Sequence, residues 1–200
     1  MNARKVLLNC GAGIGGTVLL AAAMWFHSVR PEVKAEALEP IRNGGRIGED
    51  VHNREFTVRV ERVDAAKSLA PGLSFGNPPA IGTDGVYLIV RAKAKSEREP
   101  LELRTAELQT PGGYTYRQDP RTGSASNSQP TFQPMIWTAT AFLFELPKNR
   151  LEGAHLVVGT GGLLPQLSAA ADVDLGITAG RAAELVRSAA ERYDVEKGSP

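Results

Sequence analysis

The sequence is short of the residues that most often carry chemistry. It has one cysteine, Cys10, and three histidines among 200 residues. A single thiol excludes an intrachain disulfide and a cysteine-rich zinc site, so a hydrophobic core must hold the fold. His52 and His155 lie far apart, with no H-x-x-x-H spacing. Neither sign of charge is in excess: 23 basic residues face 22 acidic ones, a formal net charge of +1. Two of the basic residues, Arg4 and Lys5, precede residue 6 and every acidic residue follows residue 26, so the rest of the chain is nearly neutral and lacks the clustered basic excess of a nucleic-acid binder. Gly159-Thr160-Gly161-Gly162 is not a phosphate loop, because no Gly-Lys-Ser/Thr follows. Asp172 and Asp174 share a strand face without a D-x-D-x-D-G calcium loop. Ser124, Ser126 and Ser128 have no G-x-S-x-G elbow around them. No catalytic residue, cofactor or metal ligand is assigned, and the chain is read as no enzyme.

What the sequence does have is an uncharged run, Val6 to Phe26, behind Arg4 and Lys5. At 1.5 Å per residue it reaches about 30 Å, the thickness of a bilayer core. Trp25 and Phe26 close its far end, where Trp favours the interface. We read residues 1–5 as a cytoplasmic N-terminus and 6–28 as a transmembrane anchor. Residues 29–45 follow as a stalk, and the remainder lies outside the cytoplasm. Gly11/Gly15 and Ala12/Gly16 are spaced for close helix approach, which leaves a helix-mediated homodimer as a lesser possibility. Cleavage of a signal peptide near Ala23, giving a secreted domain, is the alternative. Cys10 precedes most of the apolar run, so it is not a lipidation site. Gly11-Ala12-Gly13-Ile14-Gly15-Gly16 matches the dinucleotide fingerprint G-x-G-x-x-G. However, Pro31 interrupts the second strand that fingerprint needs, and no alternating β-α units follow.

Beyond residue 45 the pattern is that of strands. Phe56-Thr57-Val58-Arg59-Val60-Glu61 alternates, with Phe56, Val58 and Val60 inward. The strongest strand is Val86–Lys95: Val86, Leu88, Val90, Ala92 and Ala94 line one face, while Tyr87, Ile89, Arg91, Lys93 and Lys95 line a solvated one. Further strands are expected at Leu101–Thr110, with a bulge, at Ile136–Leu146, at Ala154–Val158 and around Val173–Ile177. Asp64–Gly85 and Gln118–Pro134 read as long loops. Ala182, Leu185, Val186, Ala189, Ala190 and Tyr193 form one helical stripe over about three turns. The expected fold is all-β: an antiparallel sandwich at 46–178, preceded by the anchor and followed by a short amphipathic helix and tail at 179–200.

Phe142-Leu143-Phe144-Glu145-Leu146-Pro147 followed by Leu151-Glu152-Gly153-Ala154-His155-Leu156-Val157-Val158 resembles the closing hairpin of bacterial extracytoplasmic immunoglobulin-like domains, and Gly85–Lys95 resembles their central strand. The family is largely uncharacterised. The resemblance implies an immunoglobulin-like sandwich tethered at the cell membrane, and no activity.

The expected function is therefore non-enzymatic. The outer domain binds or supports another envelope protein, for instance as an accessory to a transporter or secretion system, with the two long loops as contact elements. The alternative is a small ligand or lipid held between the sheets or under the long loop. Phe75, Phe132 and Trp137 are the candidate contacts, and aromatics are only 6% of the chain, so each is worth placing individually.

Overall fold

The computed structural model describes residues 24–25, 40–70, 79–118, 130–161 and 168–194. The anchor, apart from Met24 and Trp25, lies outside these residues, as do Arg4, Lys5, Phe26 and Phe75. Met24 and Trp25 are helical, and both are exposed. Among the described residues no helix is long and apolar enough to cross a membrane.

Residues 40–194 build two five-stranded sheets. The strands are β1 (Ile41–Arg46), β2 (Val51–His52), β3 (Phe56–Ala70), β4 (Ile81–Ser96), β5 (Thr105–Thr110), β6 (Tyr114–Arg117), β7 (Thr138–Leu146), β8 (His155–Gly159), β9 (Ala169–Asp174) and β10 (Tyr193–Asp194). The first sheet runs β1-β9-β8-β5-β6; the second runs β10-β3-β4-β7, with β2 also on β3. Most pairs are antiparallel, as expected, but both β1 on β9 and β10 on β3 are parallel. The chain is thus a mostly β sandwich. Its interior is filled by Phe56, Val58, Val60, Leu88, Val90, Phe142 and Phe144 from one sheet and Leu108, Leu156, Val158 and Val173 from the other.

The alternation at Phe56–Glu61 and Val86–Lys95 is realised: the inward residues are buried. Three expectations are corrected. First, Ile41–Gly45, read as the end of a stalk, is strand β1, registered against Ala169–Val173. Its glycines carry no side-chain period, so the pattern was invisible; Gly45 is required because a Cβ there would collide with Val51.

Second, Asp64–Ala70 and Ile81–Gly85 are not loop but the extensions of β3 and β4. A register shift between Val60 and Arg62 leaves Glu61 unmatched and inverts the phase. Val63 and Ala65 then face the core, while Ala66 and Leu69 face the opposite side. Read at constant phase, this stretch shows no period.

Third, the C-terminal stripe is not one helix. Helix α1 spans Ala179–Arg187, capped by Thr178, whose Oγ1 accepts from Arg181 N, and it buries Ala182 and Leu185. Beyond Ser188 the chain extends. Ala190 exchanges backbone hydrogen bonds with Ala65 and Lys67 at 2.9 and 2.8 Å, and Tyr193 pairs with Leu69.

Candidate functional site

The outer face of β3 and β4 carries the exposed chemistry. Along β4 this face reads Tyr87, Ile89, Arg91, Lys93, Lys95. Tyr87 and Ile89 are not solvated, as expected from the sequence, but fully buried. With Ala66, Leu69, Leu143 and Tyr193 they make a second small core. Arg91 closes that core, its guanidinium 5.5 Å from the Tyr193 ring and its Nε donating to Asp64 Oδ2 at 2.9 Å. Arg62 donates to the same oxygen at 3.0 Å, so one carboxylate offsets a cross-strand pair of like charges.

Beyond Arg91 the face opens. Lys93 and Lys95 lie 5.5 and 5.3 Å from the centre of the Trp137 ring, and Arg59 lies 5.8 Å from it. Arg59 is bound by Asp50, and Lys93 by Glu61 at 2.8 Å. The hydrogen bond from Arg59, ahead of the field of nearby lysines, lowers the Asp50 pKa, and the same bond raises that of Arg59. The cations hold the indole from one side and leave it 37% exposed. The two residues before it are more exposed still, Met135 at 73% and Ile136 at 59%.

Met135 has φ +63°, the left-handed region that costs a non-glycine residue about 1–3 kcal/mol. The turn is tied down: Met135 N donates to Ser96 O and Ile136 N to Gln133 O, both at 3.4 Å, and Pro134 bridges Ser96. Beneath it Ser96 is fully buried, and its hydroxyl has no hydrogen-bond partner among the described residues.

At the neighbouring corner His52, Thr57 and Glu97 converge. Thr57 Oγ1 donates to Glu97 Oε1 at 2.5 Å, and His52 Nδ1 lies 2.9 Å from Thr57 Oγ1 and 3.2 Å from Glu97 Oε1. The hydrogen bond from Thr57 is the first cause of a lowered Glu97 pKa. These are the residue types of a hydrolase triad with the polarity reversed. The hydroxyl gives its one proton to the carboxylate, so His52 can only donate to it and cannot act as its base. Thr57 is also 4% exposed, which leaves no approach for a substrate.

His155 bonds Asp172 at 3.0 Å, and Asp172 in turn faces Arg42 at 3.7 Å, so these residues form a polar row on the other sheet. Among the described residues no group of three or more His, Cys, Asp and Glu could hold a metal. An open cleft of about 550 Å³ lies between Arg54, Glu55, Arg98, Glu99, Leu101 and Thr160. Three of its polar side chains bond one another, Glu55 accepting from Thr160 at 2.9 Å and from Arg54 at 3.3 Å.

Of the expected contacts, Trp137 is at the surface, and Phe132 is fully buried in the main core, where it bridges Leu101. The structure does not bring those two together in a pocket. Met135, Ile136 and the cations around Trp137 were not singled out from the sequence. A signal was present: Met-Ile-Trp is an apolar run directly after a Ser/Pro-rich stretch and out of phase with the strand it enters.

No protein-family model matches the chain. No curated protein matches it either. Solved structures do. The YjhA protein from Bacillus subtilis is similar at 13% identity and TM-score 0.47, covering 64% of this chain and 99% of its own. The secreted protein MPT63 from Mycobacterium tuberculosis is similar at 14% identity and TM-score 0.45, covering 68% and 97%. An uncharacterised β-sandwich protein from Clostridium difficile is similar at 14% identity and TM-score 0.39, covering 67% and 95%.

Proposed function

We propose that this chain is a non-enzymatic recognition module: an immunoglobulin-like sandwich, tethered at the cell membrane by residues 6–28 and held outside the cytoplasm, that binds or supports an envelope protein through Met135, Ile136 and Trp137. The observation that carries this reading is the exposed apolar turn itself. Three consecutive large apolar side chains stand in solvent, one of them on strained backbone, and the turn is fixed by hydrogen bonds on both sides. Strain retained at an exposed position points to selection for display and not for folding. Trp, Met and Arg are the residues enriched at interface centres, where a few of them supply most of the binding energy.

Charge balance favours a protein over a lipid or nucleic-acid surface. Asp50 and Glu61 sit among Arg59, Lys93 and Lys95, so the patch is not the polybasic cluster that an anionic bilayer recruits.

A photo-crosslinking residue at position 136, installed in the full chain in its own membranes, tests this. We expect one discrete adduct that is absent with the crosslinker at Glu152, and whose purified protein loses at least about tenfold in affinity for Trp137→Ala. Equal adducts from both positions, or an affinity indifferent to Trp137, would sink the reading. A reporter fused after Pro200 tests the location: export with membrane retention supports the anchor, and release into the medium supports cleavage near Ala23.

A further inference from the structure

Three cations surround Trp137, but their partners differ. Arg59 is held by Asp50, and Lys93 is held by Glu61. Lys95 makes no ion pair among the described residues; its ammonium contacts only the indole, at 5.3 Å. Its charge reaches Asp50 and Glu97, yet those carboxylates are engaged elsewhere, by Arg59 and by Thr57. Lys95 is also half-buried. An ammonium without an ion pair among the described residues, beside an exposed indole and two exposed apolar side chains, is the complement of one carboxylate flanked by apolar groups.

We propose that the partner docks an acidic-apolar segment on this turn, with a carboxylate meeting Lys95 Nζ and apolar side chains covering Met135, Ile136 and Trp137. This rests on the protein-docking reading above and adds the chemistry of the docked segment. The geometry asks for one carboxylate and not a run of them, because the other two cations are already neutralised.

The test pans a random heptapeptide phage library against the full chain in detergent, in parallel with Lys95→Gln, Lys95→Glu and Trp137→Ala. Wild type should enrich peptides with one Asp or Glu next to aliphatic or aromatic residues. Lys95→Gln should bind those peptides about threefold to tenfold more weakly, the range for an exposed to half-buried ion pair. Lys95→Glu should replace the acidic residue with Lys or Arg. An enriched peptide resynthesised with Asn or Gln in place of its acid should lose the same factor, and a free against an amidated C-terminus separates a side-chain carboxylate from a terminal one.

Enrichment without an acidic residue, or an acidic preference that survives Lys95→Glu, overturns the carboxylate inference while leaving docking intact. Enrichment that ignores Trp137→Ala overturns docking itself. A third arm uses Trp25→Phe, which leaves Trp137 as the only tryptophan. A blue shift that appears in phosphatidylcholine vesicles only when phosphatidylglycerol is added would overturn the proposal in favour of a lipid surface.

Discussion

The two ends of one sheet face solve the same problem in opposite ways. Tyr87 and Ile89 at one end of β4, and Lys93 and Lys95 at the other, point to the same side. At the first end the chain covers its own apolar residues: the segment after α1 returns, pairs in parallel with β3 and lays Tyr193 over Ala66, Leu69, Tyr87, Ile89 and Leu143. At the second end the face is charged, and the apolar groups come from the β7 entry turn, with nothing among the described residues covering Met135 and Ile136. Arg91 marks the border, its guanidinium on Tyr193 and its ion pair to Asp64. An apolar patch that the fold needs is covered by the fold; one left open beside it is the better candidate for a partner.

The largest effect that sharpens this contrast is Tyr193→Ala. Tyr193 is 2% exposed, and losing a buried aromatic costs about 3–5 kcal/mol. Trp137→Ala, at a ring still 37% exposed, should cost less than about 1 kcal/mol while abolishing docking. Urea unfolding of the two variants measures both. If Trp137→Ala is as destabilising as Tyr193→Ala, the open turn is structural and the contrast is broken.

Next in size is a pair of glycines within β4. A Cβ at Gly85 would strike the Leu146 carbonyl oxygen of the neighbouring strand, whereas a Cβ at Gly82 meets nothing within 4 Å. Backbone cannot yield cheaply, so Gly85→Ala should cost about 1–3 kcal/mol. Gly82→Ala should be neutral or stabilise by up to about 1 kcal/mol through the unfolded chain. Equal effects would mean that β4 and β7 do not pack as closely as their register requires.

Acid should act on the charged end before the covered one. Asp50 and Glu97 both have pKa values lowered in the fold, chiefly by hydrogen bonds from Arg59 and from Thr57. A carboxylate lowered on folding contributes stability above its unfolded pKa and loses it as pH falls through the folded one. The loss therefore begins near the ordinary values, 4.5 for Glu97 and 3.8 for Asp50, and grows below them. Glu97 faces Thr57, His52 and Lys95, and Asp50 faces Arg59, Lys93 and Lys95. Stability followed from pH 6 to pH 2.5 should fall less steeply in Glu97→Gln than in wild type. A slope unchanged in both Glu97→Gln and Asp50→Asn would place the acid-sensitive groups elsewhere.

Where side-chain period and backbone phase agree, the fold was legible in the sequence: β4, the first part of β3, and Phe142, Phe144 and Leu146 of β7 all face as their alternation says. It was illegible where phase changes or side chains vanish. The unmatched Glu61 inverts β3, so Val63 to Ala70 looked aperiodic, and two of the six residues of β1 are glycine. The Leu101–Thr110 region shows the same limit. Its shift of apolar phase marks a break, with Leu101 in an isolated bridge and the strand starting at Thr105, and not a bulge. At the C-terminus the helical period continued past Ser188, but pairing with β3 offered Ala190 and Tyr193 more than another helical turn would. The candidate site was legible at Trp137 alone: the cations around it come from β3 and β4, far away in sequence, and Ile136 beside it was read as the start of a strand that begins at Thr138.

The smallest expected effect tests whether the Met135 turn is built for display. Met135→Gly removes a left-handed strain of about 1–3 kcal/mol but adds unfolded-state freedom worth roughly 0.5–1 kcal/mol. The side chain removed is 73% exposed, so little packing is lost with it. The net expectation is a gain of between zero and about 2.5 kcal/mol in urea together with weaker docking, and only a turn kept for recognition gives that combination. A loss of stability would show that Met135 packs against the fold more than its exposure suggests. Ser96→Ala beneath the same turn serves as the control: its buried hydroxyl has no partner among the described residues, so its removal should be neutral or slightly stabilising and leave docking unchanged.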